Sequence, residues 1–178
     1  MKKLILISVF LSFALMTVYS QNSKLEVGKK VPEWVLPDAN GQDHSMDTWK
    51  GKVLQINYVD PDEEDLNDHF NDEVDKAADI DKRIDKEYFK GFGIVDSKST
   101  WKPNGIIRMI AKRKEKKYGT TILFDTEGVL HEKWDAPKDS YTIVIADKNR
   151  ICRALYKGRV PDDEVEDIIQ LIIKLTKE

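Results

Sequence analysis

Apolar residues fall along this chain in short blocks separated by charged stretches, and the period inside each block assigns an element. Val53-Leu54-Gln55-Ile56-Asn57-Tyr58-Val59 is β-branched and aromatic, which predicts a central strand. Ahead of it, Glu33 to Leu36 read as a short strand entering a turn at Asp38-Ala39-Asn40-Gly41-Gln42, since Asn-Gly favours tight reversals. Asp60-Pro61 stops the central strand, and Pro61 with its acidic followers predicts a helix start. Gly93 to Asp96 is a second short strand.

From Asn104, the apolar positions Ile106, Ile107, Met109 and Ile110 take helical spacing. Basic residues Lys112 to Lys117 suit the negative end of that helix, and Gly119 supplies its stop. Thr120 to Phe124 is predicted as a strand, Asp125-Thr126-Glu127-Gly128 as a turn, and Val129 to Trp134 as its hairpin partner. Tyr141 to Ala146 and Ile151 to Tyr156 form a second hairpin about Asp147-Lys148-Asn149-Arg150. Pro161 opens a closing helix, with Val165, Ile168, Ile169, Ile172 and Ile173 facing inward. Strands alternating with helices and ending in antiparallel pairs predict an α/β fold with a mixed central sheet flanked by helices.

The first twenty residues obey another rule. Lys2-Lys3 precede the mostly apolar run Leu4 to Val18, and Val18-Tyr19-Ser20 offers a cleavage site before Gln21. That is the pattern of a secretory signal peptide, and its apolar run is shorter than the ~20 residues that span a bilayer. The expectation is a leader over residues 1–20, one domain over 21–178, and a periplasmic or secreted protein with no transmembrane segment after cleavage.

Composition narrows the chemistry without selecting any. Hydrophobic residues make up 40% and charged residues 34%, compatible with a packed core. The formal charge of −3 gives no support for nucleic-acid binding. A lone cysteine, Cys152, leaves no internal disulfide, Cys-x-x-Cys pair or cysteine-built zinc site. His44, His69 and His131 do not fall in a metal-ligand spacing. The small net charge conceals an acidic segment, residues 60–87, and a basic one, residues 98–118. If both lie on outer faces, head-to-tail self-association is one possible consequence.

Two stretches carry a family likeness. Gly51-Lys52-Val53-Leu54-Gln55-Ile56-Asn57-Tyr58 resembles the strand feeding the active-site helix of thioredoxin-like and peroxiredoxin-like proteins, and Ser140 to Arg150 resembles their later strand-turn-strand. The run from Tyr118 through Phe124-Asp125 and Gly128 to Trp134 is similar to the YtfJ family of exported thioredoxin-fold proteins. So are Val144 to Lys148, Lys157-Gly158 and the closing helix. The resemblance implies a thioredoxin-like fold with an N-terminal extension and a periplasmic address, and it implies no activity. It also marks two departures. Where redox members carry a thiolate, this chain reads Asp60-Pro61-Asp62-Glu63-Glu64-Asp65, and where they carry a cis-proline it has Ser140 or Tyr141, with Pro137 too early.

Each candidate site has a plainer reading. Cys152 is a candidate thiol with only Arg150 and Arg153 near it in sequence, and a half-buried strand cysteine is the ordinary alternative. Asp60, Asp62 and Glu64 could form a divalent-cation loop, but Asp65 replaces the turn glycine of the EF-hand pattern and Asn71 its glutamate, which favours a solvated acidic face. Lys98, Trp101, Lys102 and Asn104 are the first choice for a binding site. Backbone N–H groups at that helix start could take an anion between the lysines, against helix capping by Asn104 with Trp101 packed as an anchor. The functional expectation is a non-redox binding or interaction protein of the cell envelope that needs no cofactor. Its partner would be another protein or a small anionic ligand. The alternative is a thiol oxidoreductase or peroxidase-like enzyme using Cys152.

Overall fold

The computed structural model describes residues 24–178, so the leader read over residues 1–20 lies outside them. A five-stranded mixed sheet forms the centre. Its strands are β3 (Val53–Val59), β4 (Phe89–Asp96), β5 (Ile122–Asp125), β6 (Tyr141–Ala146) and β7 (Cys152–Lys157), in the order β5-β4-β3-β6-β7. The pairs β3/β4 and β4/β5 are parallel, while β3/β6 and β6/β7 are antiparallel. A separate two-stranded ribbon of β1 (Val35–Pro37) and β2 (Asp43–Ser45) precedes them, followed by a 3₁₀ turn at Met46–Trp49. The helices are α1 (Asp68–Asp75, continued by a π turn Lys76–Ile80), α2 (Asn104–Tyr118), α3 (Val129–Trp134) and α4 (Val165–Lys177).

Side-chain alternation along β3 divides the core into two faces. Leu54, Ile56 and Tyr58 pack with the N-terminal segment and with Leu130 and Trp134 of α3. Val53 faces the other way, toward Phe70 and Val74 of α1 and the aliphatic stripe of α4, whose Val165, Ile168, Ile169, Ile172 and Ile173 are all buried. A third cluster on that second face joins Ile107 and Ala111 of α2 to Ile122 and Phe124 of β5. The α1/α4 and α2 clusters do not merge.

Three sequence expectations are corrected. Val129–Trp134 is a helix, not a hairpin strand. Gly128 turns the chain at φ 65°, and Asp125 collects the N–H groups of Val129 (2.9 Å) and Leu130 (2.8 Å), starting a turn of helix. The helix after β3 begins at Asp68 rather than Pro61, because the Asp60 side chain accepts from the Asp62 N–H (2.9 Å) and holds an Asx turn. The second strand starts at Phe89, four residues before Gly93. The Gly119 stop of α2 stands as read, at φ 58°.

Candidate functional site

On the face shared by α1 and α2, β3 presents two amides, Gln55 and Asn57, in an otherwise apolar run. Directly across the parallel ladder, Gln55 pairs with Gly91 and Asn57 with Gly93. Two side chains are therefore missing from the floor where the two apolar clusters stand apart. The result is a groove of about 180 Å³ between α1 and α2. Val59, Val95, Ile107 and Ile110 supply apolar wall.

The polar floor is held in one arrangement. Gln55, only 3% exposed, donates through Nε2 to Asn71 Oδ1 (2.9 Å) and Asn57 Oδ1 (3.4 Å). Asn71 donates in turn to the Tyr141 hydroxyl (3.1 Å), and Asn57 to the Phe92 carbonyl (3.4 Å). Because both Gln55 N–H groups are spent, its amide orientation follows from the network. Its Oε1 has no hydrogen-bond donor among the described residues and sits 3.9 Å from where a side chain at Gly91 would begin.

Between the helices lies an array of charges. Lys114 Nζ reaches Asp65 (2.6 Å) and Asp68 (3.1 Å), Lys117 Nζ reaches Asp68 (3.8 Å) and Asp72 (3.6 Å), and Tyr118 donates to Asp72 (3.2 Å). Lys114, foremost, holds the Asp65 carboxyl below its ordinary range. The acidic and basic segments of the sequence thus neutralise each other within the molecule, which removes the premise for head-to-tail self-association through them.

Asp75, one helical turn beyond Asn71, lines the groove and is left out of this pairing. Among the described residues it makes no ion pair, and burial, then the neighbouring Asp79 and Asp72, push its carboxyl up to about 6. The folded protein binds this proton more tightly than the unfolded chain, so the charge costs stability as pH rises from about 4 through 6. Asp75→Asn should therefore raise the unfolding free energy by about 1 kcal/mol at pH 7.5, after allowance for solvent screening, and by nothing below about pH 4. Urea titrations at the two pH values measure this; equal effects at both would exclude it.

Of the residues singled out from sequence, Glu64 lines the groove and the others lie elsewhere, both lysines already engaged. Lys98 Nζ donates to the Glu127 carbonyl (3.1 Å), and Lys102 Nζ reaches Asp62 (2.6 Å) and the Pro61 carbonyl (2.8 Å). Helix α2 starts from Pro103, Asn104 makes no capping bond, and Trp101 is 86% exposed rather than packed as an anchor. Asp62 is committed to Lys102 and Thr100, Asp60 is buried with one oxygen unpartnered, and Glu64 lines the end of the groove near Pro61. No group of three His, Cys, Asp or Glu among the described residues is placed to hold a metal ion.

Cys152 opens β7 fully buried, its thiol 3.4 Å from the Ala154 carbonyl, and burial pushes it up to about 11. Neither arginine activates it. Arg150 is spent on backbone carbonyls of the 3₁₀ segment and Arg153 on Asp147.

The groove residues Gln55, Asn57, Asn71, Asp75, Gly91 and Gly93 were missed in the sequence. The available signals were two amides at alternate positions of an apolar strand and two glycines at alternate positions of the next.

With this geometry in place, comparison with known proteins places the fold. A family model described as a bacterial protein of unknown function (YtfJ_HI0045) matches residues 35–175. A proposed thiol:disulfide interchange protein DsbE from Chlorobium tepidum superposes with a TM-score of 0.60 at 18% identity, covering 86% of this chain and 99% of that one. The thioredoxin domain of a thiol-disulfide oxidoreductase from Bacteroides vulgatus gives 0.60 at 14% identity, covering 84% and 99%. The exposed lipoprotein thioredoxin of Streptococcus pneumoniae gives 0.58 at 16% identity, covering 79% and 99%. At these identities the likeness establishes a thioredoxin-like fold. No curated protein matches the sequence.

Proposed function

The chain belongs to the YtfJ_HI0045 family of bacterial proteins of unknown function, and from its groove we propose that it is a binding protein of the cell envelope that performs no thiol redox chemistry. The observation that carries this reading is the polar-floored groove between α1 and α2, which joins apolar walls to a few fixed hydrogen-bonding groups as small-molecule sites do. The thiol side supports it too. The chain's one cysteine is buried at the start of β7, and the loop after β3 offers Asp60 to Asp65 where thioredoxin-like enzymes present a thiolate. A cell-envelope address is supported by the charged-then-apolar pattern of residues 1–20 and by the exposed lipoprotein among the structural neighbours. No helix among the described residues is long and apolar enough to cross a membrane.

The test uses 1-pentanol as a neutral probe in an NMR titration of the full chain. Amide shifts are expected at Gln55, Asn57, Gly91 and Gly93. Gly91→Leu should abolish them while leaving the fold intact, because a Cβ there meets only atoms at 3.8 Å or beyond, the rest of the side chain has the groove to enter, and a strand tolerates leucine better than glycine. Cys152→Ala should leave the titration unchanged, and neither protein should reduce insulin. Shifts elsewhere, or Cys152-dependent insulin reduction, would overturn the reading.

A further inference from the structure

We propose that the groove between α1 and α2 takes a small organic ammonium, a primary amine on a short apolar chain, with the Asp75 carboxylate as counter-ion and Gln55 Oε1 as hydrogen-bond acceptor. This rests on the groove being a ligand site and adds the ligand's chemistry.

The polar groups that remain to be satisfied argue for a cation. Gln55 is buried to 3% exposure with its donors spent, so it can offer an incoming molecule only an acceptor oxygen. A carboxylate-bearing ligand would place a second acceptor against that oxygen, whereas an ammonium brings three donors. Electrostatics point the same way. The groups facing Asp75 are Asp72 and Asp79 on its own helix and its π extension, Lys86 from the segment before β4, and Lys117 from α2. Lys86 is paired with Asp79 (2.6 Å), and Lys117 is shared between Asp68 and Asp72. Of the other lysines lining the groove, Lys114 is held by Asp65 and Asp68, while Lys90 has no ion pair among the described residues and stands over the Trp49 ring at 5.8 Å. Both cations that face Asp75 are thus claimed, and Asp75 keeps a half-buried charge with no partner among the described residues. Glu64, toward Pro61, adds a second acidic group to the lining.

Size and walls set the remainder of the molecule. A space of about 180 Å³ is comparable to cavities that accept one small organic molecule, about 150 Å³ for benzene. Val59, Val95, Ile107 and Ile110 would cover the alkyl part. An ammonium bound at Asp75 would favour its ionised form, so ligand and proton compete for one carboxylate.

The full chain is titrated by NMR with pentylammonium, 1-pentanol and pentanoate at pH 7.5. Pentylammonium is expected to bind at least about ten-fold more tightly than pentanol, with pentanoate weakest. At pH 5 a carboxyl titrating near 6 is about one-tenth ionised, so the amine should bind about ten-fold more weakly while pentanol is unaffected. Asp75→Asn should erase the preference for the amine while leaving pentanol binding in place. That variant loses a costly charge and removes no contact the fold uses, so loss of fold does not confound it. Equal affinities for amine and alcohol, or a preference surviving in Asp75→Asn, would overturn the ammonium assignment and leave the groove reading standing. Failure of all three probes to shift groove resonances would overturn both.

Discussion

Asp125→Ala should lower the unfolding free energy by about 3–5 kcal/mol, a large part of the 5–15 kcal/mol that stabilises a typical domain. Asp125 is fully buried at the end of β5, and its carboxylate accepts three hydrogen bonds: from Val129 N and Leu130 N at the start of α3, and from the Tyr58 hydroxyl (3.2 Å) on β3. Alanine takes away one of the two carboxylates, Asp125 and Asp96, that the buried Tyr58 hydroxyl faces, and unmade buried hydrogen bonds cost more than made ones contribute. It also removes the acceptor that starts α3, whose Leu130 and Trp134 fill the core behind the sheet, with Trp134 5.6 Å from the Tyr58 ring. Asp125→Asn keeps the volume and one carbonyl oxygen, so it should lose roughly half as much. Urea unfolding should show a lower midpoint with an unchanged slope. A shift under 1 kcal/mol for the alanine variant would mean that the network does not support the fold.

The second large effect is expected at Arg150. This residue is 6% exposed, and its guanidinium donates to the carbonyls of Met46 (3.0 Å), Trp49 (2.7 Å) and Lys52 (2.7 Å). These carbonyls belong to the 3₁₀ turn and to the loop entering β3, so one side chain of the β6–β7 turn pins the N-terminal segment to the sheet. Arg150→Ala should cost about 3–5 kcal/mol by removing three charge-assisted hydrogen bonds that no other side chain replaces. Lysine carries one ammonium in place of a planar fork and should restore only part of the loss. The backbone supplies an internal control. Arg150 adopts φ 67°, a left-handed conformation that costs a non-glycine residue about 1 kcal/mol. Arg150→Gly should therefore be about 1 kcal/mol more stable than Arg150→Ala, although both lack the guanidinium. An alanine variant matching the parent in thermal and urea unfolding would remove the clamp from the account.

Reading elements from residue periodicity succeeded where local pattern and tertiary environment agree. The aliphatic stripe of α4, the Gly119 stop of α2 and the β6–β7 pair all have a period or a punctuating residue that only one element satisfies. It failed at Val129–Trp134, a six-residue segment whose apolar positions fit a short strand as well as a helix turn. What decides there is the Asp125 carboxylate gathering the Val129 and Leu130 N–H groups, a choice invisible to periodicity. The loop at Lys98–Asn104 shows the same limit. A lysine-flanked helix start looks available for an anion in one dimension, yet Lys102 is taken by Asp62 and Lys98 by Glu127, partners 40 and 29 residues away.

The sequence alone determined the residue inventory, with one cysteine and no Cys-x-x-Cys, and the alternation of strands and helices, while a family likeness implied a thioredoxin-like fold. Composition and short-range spacing suffice for the first two because each is a property of single residues or of a short stretch of chain. Tertiary structure decided the rest. It placed the acidic segment against the basic one, buried Cys152, and set Gln55 and Asn57 opposite Gly91 and Gly93 to open a groove. Each of these depends on which residues the parallel crossovers bring into register. Register is a long-range outcome of core packing, and no window of neighbouring residues contains it.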